Sequence, residues 1–378
     1  MPSTPAVKHK KSRTDKLVLF LNLGAILALL LSYAAAHFSP TTMGYLVLFG
    51  LAYPFVLLLN VAFIIYWLFK RPRFGIFSGL FILLGIGHLT DFFQISFSKS
   101  ADKTASHLKV LTYNVHVFDV FDKKEGPQTR DAIFDLLNRE QADVLCFQEF
   151  FHSEKKKFFP TKDTILKFLP NVHFHERYTH ALGGQQYFGV ALFSKYPIVR
   201  KGYVPFSSDA NNFCIYADLV VDGDTVRVYN GHLQSIRLKP EDYDLANGKT
   251  EQSEIDDASK RIARRLKSAF VKRQEQVDRI TTSIKASPYP VILCGDFNDP
   301  PVSYTYETLT DILSDSFVEC GNGIGNTYIG AFPSFRIDYI LHSESLKAID
   351  YRTLEEELSD HHAITATLEW SGSGTHKN

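Results

Sequence analysis

Apolar residues fall in two different patterns along the chain, and the change from one to the other divides it. Residues 17–36 (LVLFLNLGAILALLLSYAAA) carry no charge over twenty positions and follow Lys8, Lys10, Lys11, Arg13 and Lys16. A helix of that length spans a hydrocarbon core of about 30 Å. The basic start and the small residues Ala34, Ala35 and Ala36 would also suit a cleavable leader. Two further apolar stretches argue for retained spans. Residues 43–69 are again uncharged and end near Tyr66 and Trp67, and beyond Lys70, Arg71 and Arg73 a shorter third stretch runs from Phe74 to about Thr90. Counting cations puts the N-terminus and the 70–73 loop in the cytoplasm and residues after about 100 outside. If the third stretch only lies in the interface, the domain after about residue 100 is cytoplasmic instead. Asn60 and His88 read as polar residues packed between helices, with a pathway or a partner helix as the other possibility.

From residue 108 the pattern becomes short apolar runs broken by polar turns. KVLTYNVHV (109–117) opens as a strand, and DAIFDLLNR (131–139) spaces its apolar residues as a helix does. The run 144–147 is a buried strand closed by Gln148 and Glu149, and 188–193 is another. Residues 213–221 and 225–229 flank Asp222-Gly223-Asp224 as a hairpin whose second strand runs into Asn230, Gly231 and His232. Residues 253–285 form a long amphipathic helix, rich in Arg and Lys, expected to cover a sheet and leave a solvated face. Pro290 and Gly295 bound a buried strand, VILC, after which an extended chain would turn Asp296 and Asn298 to one side. Strands follow at 336–341 and 363–370, while 151–180, 235–250 and 319–333 read as loops.

Charge sharpens this division. The chain has 41 basic and 41 acidic residues, but the first 107 hold ten of the cations and three of the acids, so 108–378 carries a formal net of −7. An acidic domain lowers the expectation of long nucleic-acid contacts without excluding a local patch. Cys146, Cys214, Cys294 and Cys320 show no metal-ligand spacing and read as small buried side chains rather than a disulfide framework.

The polar residues that matter chemically sit where strands meet loops: Asn114, Glu149, Asn230, His232, Asp296, Asn298, Asp338, Asp360 and His361. A carboxylate and an amide at the mouth of a sheet accept from water and donate to a phosphoryl oxygen. Asn230 beside His232 suits phosphate donation or general acid work. Hard oxygen ligands suit Mg²⁺ or Mn²⁺, and two histidines without close spacing argue against a zinc cage.

Six motifs in order, TYNV at 112–115, QE at 148–149, NGHLQ at 230–234, GDFN at 295–298, RIDYI at 336–340 and SDHH at 359–362, resemble the endonuclease/exonuclease/phosphatase superfamily over about residues 108–370. That superfamily includes deoxyribonuclease I, AP endonucleases, inositol polyphosphate 5-phosphatases and neutral sphingomyelinases. The resemblance implies an α/β fold: a four-layer α/β/β/α sandwich of two mixed β-sheets flanked by helices, here preceded by an N-terminal transmembrane helical region. It implies Glu149 as principal metal ligand with Asn114 and Asp360, and His361 oriented by Asp338 on the scissile phosphate. It further implies Asp296 on the attacking water, Asn298 as phosphoryl donor, and His232 at the leaving group or, with Asn230, on phosphate.

The expected division is a basic cytoplasmic N-terminus (1–16), about three transmembrane helices (17–98), a linker (99–107), a catalytic domain (108–370) and a tail (371–378). The expected activity is Mg²⁺-dependent hydrolysis of a phosphodiester or phosphomonoester by in-line water attack, the substrate being a lipid headgroup or other small molecule at the outer face or a nucleic acid, from a bilayer anchor and without an inferred protein partner. A tethered nuclease, or a binding module on the same fold, is the alternative.

Overall fold

The computed structural model describes residues 13–96, 107–122, 124–155, 158–169, 171–207, 212–237, 242, 255–330 and 335–370. The expected tail, the expected linker up to residue 106 and most of the 235–250 loop lie outside the described residues, while His107 already belongs to the first strand. The first part is helical: α1 (Arg13–His37), α2 (Val47–Leu51), α3 (Tyr53–Lys70), α4 (Pro72–Leu84) and α5 (Ile86–Phe92). Of these, α1 and α3 are long and apolar enough to cross a membrane, and α4 with α5 forms a pair bent by 67°.

Two expectations change here. The stretch 43–69 is not one helix, because the chain turns before α2 and restarts at Tyr53 with Pro54 in the first turn of α3. The third stretch is not straight, because helix α4 stops at Gly85. Polar side chains fasten α1, α3 and α4 together. Asn22 Nδ2 donates to Ser78 Oγ (2.7 Å), Ser78 Oγ to Asn60 Oδ1 (3.2 Å) and Trp67 Nε1 to Asn22 Oδ1 (3.0 Å). Among apolar surroundings such bonds hold helices together where burial alone distinguishes poorly between helix and lipid.

The second part begins with β1 (His107–Asn114), α6 (Gly126–Glu140), β2 (Val144–Ser153), α7 (Thr161–Phe168), β3 (His173–Leu182), β4 (Gln186–Ser194) and β5 (Ile198–Val204). The hairpin β6 (Phe213–Val221) and β7 (Asp224–His232) follows, then α8 (Ile255–Lys285), β8 (Val291–Asp296), α9 (Tyr304–Thr310) and β9 (Ser314–Asp315). Last come α10 (Ser316–Cys320), β10 (Asp338–His342), β11 (Leu346–Leu354) and β12 (Ala363–Trp370).

The strands make two six-stranded sheets, ordered β11-β12-β1-β2-β4-β3 and β5-β6-β7-β8-β10-β9. Each holds one parallel pair at its centre, β1 with β2 and β7 with β8, among antiparallel neighbours. Alternate strand residues supply three cores. Val110, Cys146, Val228, Cys294, Ile340 and Ile364 meet between the sheets. Tyr113, Leu145 and Phe193 face outward onto Ile133, Leu137 and Ile165 of α6 and α7, while Tyr229, Leu293 and Leu341 face Val277, Ile280 and Leu309 of α8 and α9. This is the expected four-layer sandwich. Cys146, Cys214 and Cys294 are free, buried thiols.

The sandwich meets the helices at one end. Val302, six residues past Asp296, packs with Leu29, Tyr33, Ala36 and Tyr53. Arg336, two residues before Asp338, donates from Nη2 to the Asp91 carbonyl (2.7 Å) and is paired with Asp315 (2.6 Å). Gln274 of α8 accepts from Ser39 Oγ (2.8 Å) and Thr41 N (3.1 Å) in the loop that leaves α1.

Candidate active site

Strand alternation carries the inward face of each central strand out of the apolar core and into a polar cluster. On β1 that face reads Leu108, Val110, Thr112, Asn114; on β8 it reads Ile292, Cys294, Asp296; on β7, Val226, Val228, Asn230, His232. Strand register sets His232 beside Asp296 and Asp296 beside Asp338. The site therefore lies between the sheets, at the carboxyl ends of both parallel pairs, where a crevice forms in open sheets too.

A first polar layer, Thr112, Gln148 and Asn230, closes the core. Gln148 Nε2 donates to Thr112 Oγ1 (3.0 Å) and Asn230 Oδ1 (2.7 Å), and Asn230 Nδ2 donates to the Phe147 (3.0 Å) and Ala191 (2.9 Å) carbonyls. Asn230 thus spends its oxygen and both amide hydrogens bracing one sheet to the other. It has no hydrogen left for a phosphate, which corrects the phosphate-binding expectation for this residue. Gln148, quoted in a motif but given no role by the sequence, is its partner in that brace.

The second layer holds the chemistry. Asp296 Oδ2 accepts from Asn114 Nδ2 at 2.9 Å and lies 3.7 Å from Nε2 of both His232 and His361. His361 Nδ1 meets Asp338 Oδ2 at 2.8 Å, and the Tyr328 ring stands edge-on to the imidazole at 5.3 Å. Glu149 Oε1 is 3.4 Å from Asn114 Nδ2 and 3.9 Å from His232 Nε2. Six of the nine candidates, Asn114, Glu149, His232, Asp296, Asp338 and His361, are thereby linked by these contacts.

Three placements differ from the sequence expectation. Asn298 is left-handed (φ 56), so the chain turns after β8 rather than continuing extended; its backbone N–H caps Asp296 Oδ1 (2.8 Å) and its amide donates to the Leu233 carbonyl (3.2 Å). Asn114 turns its nitrogen to the two carboxylates, since its oxygen accepts from the His116 N–H (3.1 Å); the atom facing Glu149 is a donor, which does not fit a metal ligand. Asp360 lies against Ser359, 3.3 Å from its Oγ, while Ser359 Oγ donates to the Asn114 carbonyl (2.8 Å). Among the described residues the ligand-capable triad is Asp296, Asp338 and His361, with atoms within 4.8 Å of one another; Asp360 stays outside it, and so does Glu149, which reaches the cluster through Asn114 and His232.

Glu149 carries no sequence signal of its backbone state: it has φ 50, at a break in the β2–β4 register between Phe147 and Phe150. A left-handed non-glycine residue costs roughly 1–2 kcal/mol. The bulge frees the carboxylate from the ladder and aims it at the cluster.

Electrostatics follow from burial. Desolvation alone would lower His361, but the charges of Asp338 and Asp296 outweigh it and raise its pKa to about 10, which favours the imidazolium, with Nδ1 held by Asp338. Burial raises Asp296, against the opposing pull of His361, His232 and the Asn114 hydrogen bond. Asp338 Oδ1 and His232 Nε2 are buried and lack a hydrogen-bond partner among the described residues, an expense unless something polar comes to meet them. The Glu149 side chain is 34% exposed, so its oxygens keep access to water, and with Asp296 it offers the hard donors that a hydrated divalent cation takes. That donor set fits a Mg²⁺- or Mn²⁺-like ion.

Carboxylates, amides and two imidazoles gathered at one end of an α/β/β/α sandwich define the phosphoester-hydrolase class of this architecture. The sequence pattern of the Endonuclease/Exonuclease/phosphatase family matches residues 111–361, and the chain belongs to that family, whose members act on phosphoesters and generally use divalent metal ions. Residues 15–92 match a second pattern, a domain of unknown function (DUF8431). No curated protein matches the chain.

Solved structures share the fold at low identity. A family protein from Bacteroides thetaiotaomicron is 18% identical, with a TM-score of 0.53 over 71% of this chain and 100% of that one. The human Nocturnin catalytic domain with bound sulfate anion is 16% identical, with a TM-score of 0.51 over 70% and 94%. A mannosyl-6-phosphatase from Bacteroides thetaiotaomicron VPI-5482 is 17% identical, with a TM-score of 0.50 over 69% and 99%.

Proposed function

We propose that this protein is a membrane-anchored phosphoesterase that hydrolyses a phosphodiester or phosphomonoester with a divalent cation, Mg²⁺ or Mn²⁺, held at Glu149. The observation that carries this reading is the position of Asp296 Oδ2, 3.7 Å from Nε2 of both histidines. Two imidazoles facing one buried carboxylate bring proton donors and a base to one spot, the groups that a phosphoryl oxygen, a leaving oxygen and an attacking water require.

Asp296, made more basic by burial, orients that water and takes its proton. His361, held by Asp338 through Nδ1, donates from Nε2 to a phosphoryl oxygen. His232 donates at the leaving oxygen or the phosphate. Asn114 keeps Glu149 and Asp296 in place, Asn298 caps Asp296 and retains one amide hydrogen for the substrate, and Asp360 adds negative charge beside His361. A bound cation supplies neutralisation of the charge that develops on the phosphoryl and leaving oxygens.

Residues 17–98 form the anchor in this reading and 108–370 the catalytic domain. Arg13, Lys16, Lys70, Arg71 and Arg73 cluster at the helix ends away from the sandwich, joined by the Arg71–Asp15 pair (3.1 Å), so the positive-inside rule puts the catalytic domain on the non-cytoplasmic face. The test is a panel of phospholipid, sugar phosphate, oligonucleotide and generic diester, given to the detergent-solubilised full chain with and without Mg²⁺. Hydrolysis that needs the ion supports the reading, and a silent panel favours a binding module. Preference for the oligonucleotide with a steep loss in salt makes the protein a nuclease instead.

A further inference from the structure

We infer that one stripe of α8, formed by Lys260, Arg264 and Lys267, rests on the anionic headgroups of the bilayer and holds the mouth of the site against the lipid surface. The inference builds on the membrane-anchored reading and adds to it a lipid-binding surface.

Its first support is sequence. Between Asp257 and Glu275 the helix contains seven Lys or Arg and no acid, an unbroken basic segment inside a domain of net negative charge. Its second support is helical spacing. Residues 260, 264, 267, 271 and 274 fall on one face. At the C-terminal end of that face, Gln274 is bonded to Ser39 and Thr41, and the Lys267 ammonium sits 5.1 Å above the Tyr45 ring. Those partners belong to the loop between α1 and α2, where the apolar helix α1 ends. The same loop exposes Phe38 (46%), Met43 (49%) and Tyr45 (69%), an apolar and aromatic set of the kind found at the boundary of lipid and water. Following the stripe back from this boundary, Arg264 and Lys260 come one and two turns further along, both exposed. Among the described residues, neither these two nor Lys267 makes an ion pair.

The neighbours differ, which sets the stripe apart. Arg261 and Arg265 are taken up by the buried Asp242 (2.9 and 3.5 Å), and Arg273 by Asp299 (3.2 Å). Arg264 also borders an open cavity of about 480 Å³ with Arg261 and Arg265. A smaller one of about 170 Å³ continues past Arg265 to Gln234 and Ser235, two and three residues beyond His232. The two cavities share Arg265 and Ser268, so the polar surface beside the stripe, which also includes Asp257, extends to the loop that follows the site histidine. The site itself is near the helices: Val302, in contact with Tyr33 and Tyr53, is at most about 22 Å of chain from Asp296. A bilayer surface is the polyanion that this geometry can reach without rearrangement, since the helices already fix its position relative to the stripe. Juxtamembrane cations gain from anionic lipid in this way.

The full chain is reconstituted in nanodiscs of phosphatidylcholine, alone or mixed with phosphatidylglycerol, with a fluorophore on Ser268→Cys and a nitroxide on the lipid headgroups. The labelled parent chain controls for Cys320. We expect several-fold stronger quenching with phosphatidylglycerol, and loss of that gain in K260E/R264E/K267E. Quenching that ignores lipid charge, or that persists in the triple variant, overturns the inference. So does an oligonucleotide that binds the stripe in phosphatidylcholine discs and fails to bind the triple variant. Alkaline extraction of the full chain from membranes, and its turnover of a soluble diester, report separately on the anchor and on the hydrolytic reading.

Discussion

Asn230 and His232 sit two positions apart on the same face of β7, and the difference between them is depth. Asn230 is fully enclosed and braces the sheets; His232 lies nearer the carboxylates, its Nε2 3.7 Å from Asp296 and without a hydrogen bond among the described residues. The sequence placed both at a strand end but held no record of the opposite sheet, whose Phe147 carbonyl and Gln148 decide which amide is satisfied. Replacing Asn230 by Ala should therefore lower stability by about 2–4 kcal/mol, because buried partners lose their bonds, while turnover per folded molecule is retained. Chemical denaturation read beside active-site-normalised kinetics checks this, and a stable but inactive variant would restore Asn230 to the phosphate. For Asp338→Asn and His361→Gln the order inverts. Each should cost about 10²–10⁴ in rate with circular dichroism unchanged, and near-parental turnover in either would remove the dyad from the mechanism.

At the scale of elements, periodicity told most where both faces of a strand are buried. The strands β8 and β12, the hairpin β6–β7 and the helix α8 fall where alternation and helical spacing put them. The edge strand β3 has a loop-like pattern, since HFHERYTHAL offers few apolar positions and an edge needs few. At the other edge, β11 lacks a clear strand pattern for a different reason: a register shift between Ala348 and Asp350 breaks its alternation. The Glu149 bulge escaped similarly, because nothing in Gln148-Glu149 marks a left-handed residue. Gly295 is the opposite case, its punctuation legible from sequence and its cause visible only in the sheet. It has φ 145, and a Cβ there would run into the Gly231 carbonyl of the neighbouring strand. Gly295→Ala is expected to destabilise by about 3 kcal/mol or more, from strain plus steric conflict. Thermal unfolding measures it, and a melting temperature unchanged from the parent would mean that β7 and β8 are not so closely apposed.

For the whole molecule, the sequence separated apolar helices from sandwich but gave no sign of how they join. That join runs through Arg336, buried, paired with Asp315 and bonded to the Asp91 carbonyl at the end of α5, only two residues from Asp338. Arg336→Met should leave Asp315 an uncompensated buried charge at a cost of about 3–5 kcal/mol, and limited proteolysis should then cut between helices and sandwich sooner than in the parent. Unaltered proteolysis and melting would show that the join does not depend on this residue. Above that scale is the claim that residues from separate strands make a single hydrolytic centre around a cation. The most direct measurement pairs Mg²⁺ titration calorimetry with diester turnover in Glu149→Gln and Asp296→Asn, both in the full chain in detergent. The account predicts that the first loses Mg²⁺ binding and turnover together, while the second, which keeps the Glu149 donor, binds Mg²⁺ more weakly and at saturating Mg²⁺ still loses turnover by about 10² or more. Parental turnover in both variants would contradict it.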